Sequence, residues 1–444
     1  MRGKRRPDHG HLDARKTRRC GADPPGDHRL SRPLRRREET TSSGSGRAHG
    51  QHPQGEERVN TQNTSRQHRP QALLVLADGR TFAGRAFGAN TTSFGEVNFN
   101  TAMSGYQEAL TDPASAGTMI TLTFPHIGNT GMNTEDAQST KVWAAGLIVR
   151  ELSRRPSNWR SETSLEEDLA AQGITGIEGI DTRALTHHIR DHGVMNAGIF
   201  VGEDAAAPVA ELTRKVADTT VDTDAYRASA AGAQARTLTA TDLGLNPDEV
   251  SGPAVKVAVL DNGVKKSDLL SLARRGAELT VLSADAGSAE VTEAGVAGVF
   301  VSDGPGTPEQ LTERAETVKE LIEAGLPVFG VGLGQLIIGM AAGVPTTRLA
   351  VGHHGANQPV TNTATGKVEI TAQSHQYALD IPAGTSIDGV AVTYRSLNDG
   401  VVEGIELADK AVFATAFHPE GAGPLDAASN FDRFVELLTA RTGN

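Results

Sequence analysis

One cysteine, Cys20, stands in 444 residues. A lone thiol excludes a disulfide within the chain and any metal centre built on cysteine, and such usage suits a reducing cytosol. It falls within the first 70 residues, so everything after them lacks a thiol for nucleophilic chemistry. No apolar run reaches the roughly 18 residues needed to span a bilayer, and no membrane partner is expected. Residues 1–70 contain no Phe, Trp or Tyr and show no apolar periodicity. That segment has too little apolar surface to offset the entropy of ordering it. Between Ala324 and Lys367 there is neither Asp nor Glu.

What is present is unevenly spread. Residues 1–70 hold 17 Lys and Arg against 8 Asp and Glu, leaving 26 against 46 in the remainder, so the net charge of −11 combines a basic tail with an acidic body. The tail, "MRGKRRPDHG" to "TSRQHRP", is expected to be disordered. Its arginines suggest a nucleic-acid arm or a transit peptide, but scattered acids and the missing amphipathic pattern oppose the transit reading. No nucleic-acid partner is expected. "GEER" before Val59 also reads as a translated purine-rich leader with Val59 as the start, an expectation that a peptide from residues 1–50 of the native protein would overturn. Over the whole chain, 38% hydrophobic and 22% charged residues describe a soluble protein with room for two or three domains.

From "ALLVLADGRTFAGRAFG" onward, short alternating strands with Asp-Gly turns predict a β-rich α+β domain over residues 71–202. Asp181 is placed to cap a helix in "TRALTHHIR". Residues 203–254, rich in Ala, Thr and Asp, read as a linker. From Val255 the rhythm changes. "VKVAVLDNG", "AELTVLSAD", "VAGVFVSDG" and "LPVFGVGLG" are apolar runs ending in Gly or Asp, separated by helical stretches, which predicts a doubly wound parallel α/β sheet over residues 255–444. Ligands of such sheets sit at the carboxyl ends of the strands.

Four stretches are candidates for chemistry. "SDGPGTP", Ser302 to Pro308, places two glycines at a strand end, where bare N–H groups can receive an oxyanion, although alone it is an ordinary strand-to-helix turn. "PVFGVGLGQLIIGMAAG" runs from strand through glycines into helix. It imitates a dinucleotide fingerprint only loosely, because the spacing is wrong and no acid follows to hold a ribose. It also has the layout of a nucleophile elbow, with a bare apex at Gly332. "FHPEGAGP" puts His418 and Glu420 two residues apart, so on a strand the carboxylate can orient the imidazole as a general base; unaccompanied, such a pair is an ordinary salt bridge. "GHHGANQPV" and "TAQSHQYALD" bring His353, His354 and His375, but no Cys or carboxylate cluster accompanies them, so polar loop packing is expected and no metal.

Together, "SDGPGTP", "PVFGVGLGQLIIG", "GHHGANQPV", "TAQSHQYALD" and "FHPEGAGP" resemble the class I glutamine amidotransferase domain. With "GEVNFNTAMSGYQEALTDP", "PHIGNTG" and "GIDTRALT", the resemblance narrows to the small subunit of carbamoyl phosphate synthase, over residue 72 to the C-terminus. It implies a cytoplasmic glutaminase in which a cysteine attacks the glutamine carboxamide and a His–Glu pair moves protons. Ammonia then passes to a large subunit that carries ATP and Mg and joins it to bicarbonate, in pyrimidine or arginine synthesis. No cofactor is implied for this chain.

The sequence departs from that pattern at the chemistry. The resemblance places the nucleophile on Gly332 and a glutamine-contacting Gln on Leu336. The family's Ser after Asp-Pro corresponds to Ala114, and its Asn-His-Gly-Phe to Ser374, His375, Gln376 and Tyr377. Gly304, Gly306, Leu333, His418 and Glu420 are retained. The expectation is a small-subunit homologue, paired with a large subunit, that has lost glutamine hydrolysis and supports synthesis from free ammonia or regulates the large subunit. Its rivals are a non-catalytic scaffold or decoy and an intact glutaminase with an unrecognised nucleophile.

Overall fold

A computed structural model describes residues 69–232, 234–419 and 429–443. The basic tail, apart from its last two residues, lies outside them, as do Cys20 and Glu420.

Seven strands close into a barrel: β1 (Gln71–Leu76), β2 (Thr81–Gly88), β3 (Ser93–Asn100), β4 (Thr118–Ile127), β5 (Gly146–Leu152), β6 (Thr175–Glu178) and β7 (Met195–Val201), in the order β1-β2-β6-β5-β4-β3-β7. The first hairpin follows from Asp78 and Gly79. The Asp78 carboxylate accepts the Arg80 N–H at 3.0 Å while Gly79 takes φ of 89°, a turn open to glycine without steric cost. Alternation then sends Leu74, Leu76, Val97, Met119, Ile148, Ile177 and Ile199 into one apolar cluster. The helix Thr182–His192 packs Leu185 and Ile189 onto it, and Asp181 caps its start through the Ala184 N–H at 3.0 Å.

Residues 203–254, expected as a linker, carry ordered structure. The helix Val209–Ala217 buries Leu212 and Val216 against Val75 and Phe200 of the barrel. A helix spans Thr223–Ala230, and β8 (Arg236–Leu238) joins the second sheet by pairing antiparallel with β10 (Ala277–Ser283). The apolar spacing at Leu212 and Val216 is one helical turn, which the stretch's overall polarity masks.

The second sheet has ten strands. Besides β8 and β10 these are β9 (Val255–Asp261), β11 (Gly298–Val301), β12 (Val328–Val331), β13 (Thr346–Asn362), β14 (Val368–Leu379), β15 (Val390–Ser396), β16 (Val402–Leu407) and β17 (Val412–Thr415). Their order is β14-β13-β15-β16-β17-β12-β11-β9-β10-β8. Only the middle, β10-β9-β11-β12-β17, is parallel; β8 and the run β16-β15-β13-β14 are antiparallel. The α/β expectation therefore holds with antiparallel flanks; in the pairs β13-β14, β15-β16 and β16-β17 the strands are joined by short turns, which cannot connect parallel neighbours. Phe300, Phe329, Phe413, Phe431 and Phe434 fill one face of the parallel centre, with Phe329 stacked on Phe413 at 4.5 Å.

Backbone contacts tie the barrel to this sheet. Val194 N–H donates to Ala350 O at 3.0 Å and Lys266 N–H to Gln138 O at 2.8 Å, and Arg348 on β13 pairs with Glu96 on β3. The carboxyl ends of β11, β12 and β17 thus open toward the barrel wall.

At the centre, the helix Leu333–Ala341 lies close against β12 because Gly330 has no side chain: a Cβ there would sit 2.6 Å from Ile338 Cδ1 and 2.7 Å from Gly334 O. We expect Gly330→Ala to destabilise the chain by about 1–3 kcal/mol, as overpacking of a rigid core does, measured by urea unfolding. An unchanged midpoint would show that the helix can move away freely.

Candidate active site

The strand β12 ends at Val331, Gly332 turns the chain with φ of 56° and ψ of −115°, and the helix Leu333–Ala341 starts at once. Few side chains tolerate that conformation without strain. Gly332 N–H donates to Thr415 O at 2.8 Å, so the turn is fastened to the end of β17. The helix is buried from Leu333 to Gly339 and, Gln335 apart, apolar there, which fixes its N-terminus and the amides it presents.

Into that N-terminus points Asp303, which follows β11. Its Oδ1 accepts the Leu333 N–H at 2.7 Å, and its Oδ2 lies 3.3 Å from His418 Nε2. A Cβ built on Gly332 would fall 2.5 Å from Asp303 Oδ2 and closer still to the rest of that carboxyl group. Burial, then the negative charge of Asp112, raises the Asp303 carboxyl to about 7, against the opposing pull of the Leu333 and Gly304 amides and of Lys265. His418 is 3% exposed and anchored by its own N–H to Ala372 O at 2.8 Å. Asp112 arrives from the barrel side, with Oδ2 at 4.0 Å from His418 Nε2 and Oδ1 accepting the Ala114 N–H at 2.9 Å.

A cavity of about 340 Å³ adjoins this cluster. All eight residues singled out from the sequence as pocket positions line it: Gly304, Gly306, Leu333, Leu336, Ala114, Ser374, Gln376 and Tyr377. Gly332 and Asp303 line it too, while His418 faces an adjacent cavity of about 520 Å³ that it shares with Asp112 and Ser374. Gln376 donates to Leu349 O, so one of its amide hydrogens is spent on the backbone. Ala114 comes from the 3₁₀ turn Pro113–Ser115 after the barrel's "LTDP", and the two parts of the chain share this wall. The partner proposed for His418 in sequence, Glu420, lies outside the described residues.

Asp303 is the group that sequence reading passed over. Its motif drew attention for its glycines, yet a carboxylate immediately past an apolar parallel strand already has the address of a ligand-facing residue.

The histidine stretches also differ from expectation. "GHHGANQPV" and "TAQSHQYALD" are paired strands, with His353 opposite His375, and two carboxylates do accompany them. His353 Nδ1 lies 2.8 Å from Glu403 Oε1 and His353 Nε2 lies 2.9 Å from Asp399 Oδ2; His375 Nε2 lies 3.5 Å from Glu403 Oε2. His353, His375 and Glu403 present ligand atoms within 4.8 Å of one another, but carboxylates already take both nitrogens of His353. Those acids come from β16 and the turn before it, beyond the reach of local sequence spacing. Burial acts to lower the His353 imidazole, yet the hydrogen bonds and charges of Asp399 and Glu403 outweigh it and raise it to about 10. His354, half-buried beside the His375 and His353 imidazoles, is held down to about 3 by desolvation and then by those two rings. The charged His353 thus fastens β13 to β16 beneath the cavity wall.

The family model described as "Carbamoyl-phosphate synthase small chain, CPSase domain" matches residues 74–199, and "Glutamine amidotransferase class-I" matches residues 258–437. Proteins called carbamoyl phosphate synthase small chain are similar over most of the length. That of Streptomyces coelicolor is 43% identical over 393 residues, covering 85% of this chain and 98% of the relative. That of Xanthomonas axonopodis pv. citri is 43% identical over 388 residues, covering 83% and 99%. That of Corynebacterium glutamicum is 43% identical over 387 residues, covering 83% and 94%.

Because the His353 pKa is raised from 6.5 to about 10, its stabilisation is complete below pH 6.5 and is lost as pH rises through 10. Between pH 7 and 9 the folding free energy should fall by about 1.4 kcal/mol per pH unit from this one proton. His353→Gln should remove that slope, read from urea unfolding at stepped pH. An equal slope in both proteins would show that His353 is not the charged group.

Proposed function

The chain belongs to the carbamoyl phosphate synthase small-chain family as a small amidotransferase subunit, and from that premise we propose that it pairs with a large ATP-using chain without hydrolysing glutamine itself. One observation carries this reading: Gly332 stands at the apex of the strand-turn-helix, where the family resemblance puts the attacking cysteine.

The chemistry expected of the family forms a bond from a thiolate sulfur to the carboxamide carbon and breaks the C–N bond. Ammonia leaves with a proton supplied through the His–Glu pair, and water then cleaves the thioester. Gly332 has no atom that can form the first bond. Every residue after the tail lacks a thiol, so no cysteine can be recruited from elsewhere in the fold. His418 keeps its place beside the turn, but a base has no use here without a group to deprotonate. Leu336, Ala114, Ser374, Gln376 and Tyr377, which line one cavity, all differ from the residue types that the resemblance implies for holding glutamine. Substitution of a whole pocket fits a site released from recognising that substrate.

The turn itself does not need the thiol. Glycine is at ease with φ of 56°, so the loss leaves the fold and its docking surfaces intact. The subunit then supports carbamoyl phosphate formation from free ammonia, with ATP and Mg held by the large chain. The barrel supplies much of the contact surface; Met103 and Trp159, 78% and 91% exposed, stand on its loops.

The test is co-purification with the large chain of the same organism, followed by carbamoyl phosphate formation with ammonia and with glutamine. Complex formation, synthesis with ammonia and glutamine turnover on the order of 10⁴-fold or more below an intact small chain are expected. Normal glutamine turnover, or a covalent adduct at residue 332 with a glutamine-like electrophile, would refute the loss. A complex that ignores ammonia would make the chain a decoy, and absence of a complex would remove the partner.

A further inference from the structure

Loss of a nucleophile leaves a small volume, a free helix N-terminus and an idle base, and the structure shows what has taken them over. The volume is that of a side chain on residue 332, and the Asp303 carboxyl group sits in it. The helix N-terminus is that of Leu333–Ala341, and Asp303 Oδ1 holds its Leu333 amide at 2.7 Å. The idle base is His418, whose Nε2 lies 3.3 Å from Asp303 Oδ2. Asp303 is 3% exposed, and where its carboxyl group now lies it must move before a second group can stand at the apex.

Deepening the reading that glutamine hydrolysis is lost, on which it rests, we propose that Asp303 is an internal plug. Its carboxylate fills the apex, occupies the Leu333 amide that a substrate oxyanion would need, and engages His418, so the site can be reopened only by changing residues 303 and 332 together.

Three physical consequences follow. A side chain added at 332 must compete for volume with a buried carboxyl group, which can leave only by giving up its hydrogen bond to Leu333. In its ionised form the Asp303 carboxyl disfavours the thiolate form of any cysteine placed at 332, which slows its attack. The oxyanion of a tetrahedral intermediate would meet an amide already taken by a carboxyl oxygen. Asp303 acts in all three as a positioning residue, because it excludes a nucleophile and does not itself react with substrate.

The experiment uses the full chain with Cys20→Ser, so that any thiol is the introduced one. Gly332→Cys is compared with Gly332→Cys/Asp303→Ala, and with Gly332→Cys/Asp303→Ser in case the alanine variant folds poorly; both replacements are too short to reach the apex. The readout is the rate of alkylation by a chloromethyl ketone analogue of glutamine and by iodoacetamide, each divided by the rate in urea, with Tm measured alongside. The single variant should label at least about 10-fold more slowly than either double variant. Gly332→Cys should also lower Tm with Asp303 present and lower it less without Asp303, a non-additivity expected only of groups competing for one place. Equal labelling of single and double variants, or a double variant that folds yet labels no faster, would overturn the plug. The native chain's own glutamine turnover is measured in parallel. Turnover there refutes the parent reading, whatever the labelling shows.

Discussion

The hydrogen bond from the Leu333 amide to the buried Asp303 carboxylate joins the elements on which the site is built. Leu333 begins the helix behind β12, Asp303 follows β11, and His418 beyond β17 lies against the same carboxylate. A parallel sheet brings these strand ends together at one edge, and helix dipoles and free amides make that edge receptive to negative charge. In this chain the charge is supplied from within.

That constraint explains the division of labour between the two halves. The sheet alone would leave the turn open to solvent. The barrel closes it, with Ala114 forming part of the cavity wall and Asp112 sending a second carboxylate toward His418. Asp112 in turn adds to burial in raising the Asp303 carboxyl to about 7. The pair Arg348 and Glu96 and the backbone bonds at Val194 and Lys266 hold the two walls in register. On the far side, His353 between Asp399 and Glu403 braces the antiparallel strands that carry Ser374, Gln376 and Tyr377.

Much of this was legible before the fold was known. The apolar runs that became β9, β10, β11 and β12 were legible, though each quoted run extends past its strand, because strands buried on both faces are continuous in sequence. The bare apex at Gly332 could be read because strand, glycine turn and helix are adjacent. The pocket positions from Ala114 to Tyr377 line one cavity, and their kinship was read through motifs and not through spacing. The stretches that resisted were those whose meaning depends on distant partners. Leu212 and Val216 are apolar for the sake of Val75 and Phe200, far earlier in the chain, and His353 and His375 read as loop residues until Asp399 and Glu403 stood beside them. Asp303 has the address of a ligand-facing carboxylate past a parallel strand, but nothing local to it distinguishes a cap from a plug.

By itself the sequence determined that no thiol follows the tail, that a glycine heads the turn after β12, and that β-rich and doubly wound halves follow one another. These are facts of composition and of short-range periodicity, and no folding can alter them. Only the tertiary structure decided that Asp303 fills the space above Gly332, that Asp112 reaches His418 from the other half, and that carboxylates from β16 and its preceding turn claim His353. Each of those depends on where strands widely separated in the chain are brought to end, and side-chain contact across such distances is fixed by packing and electrostatics in the folded state.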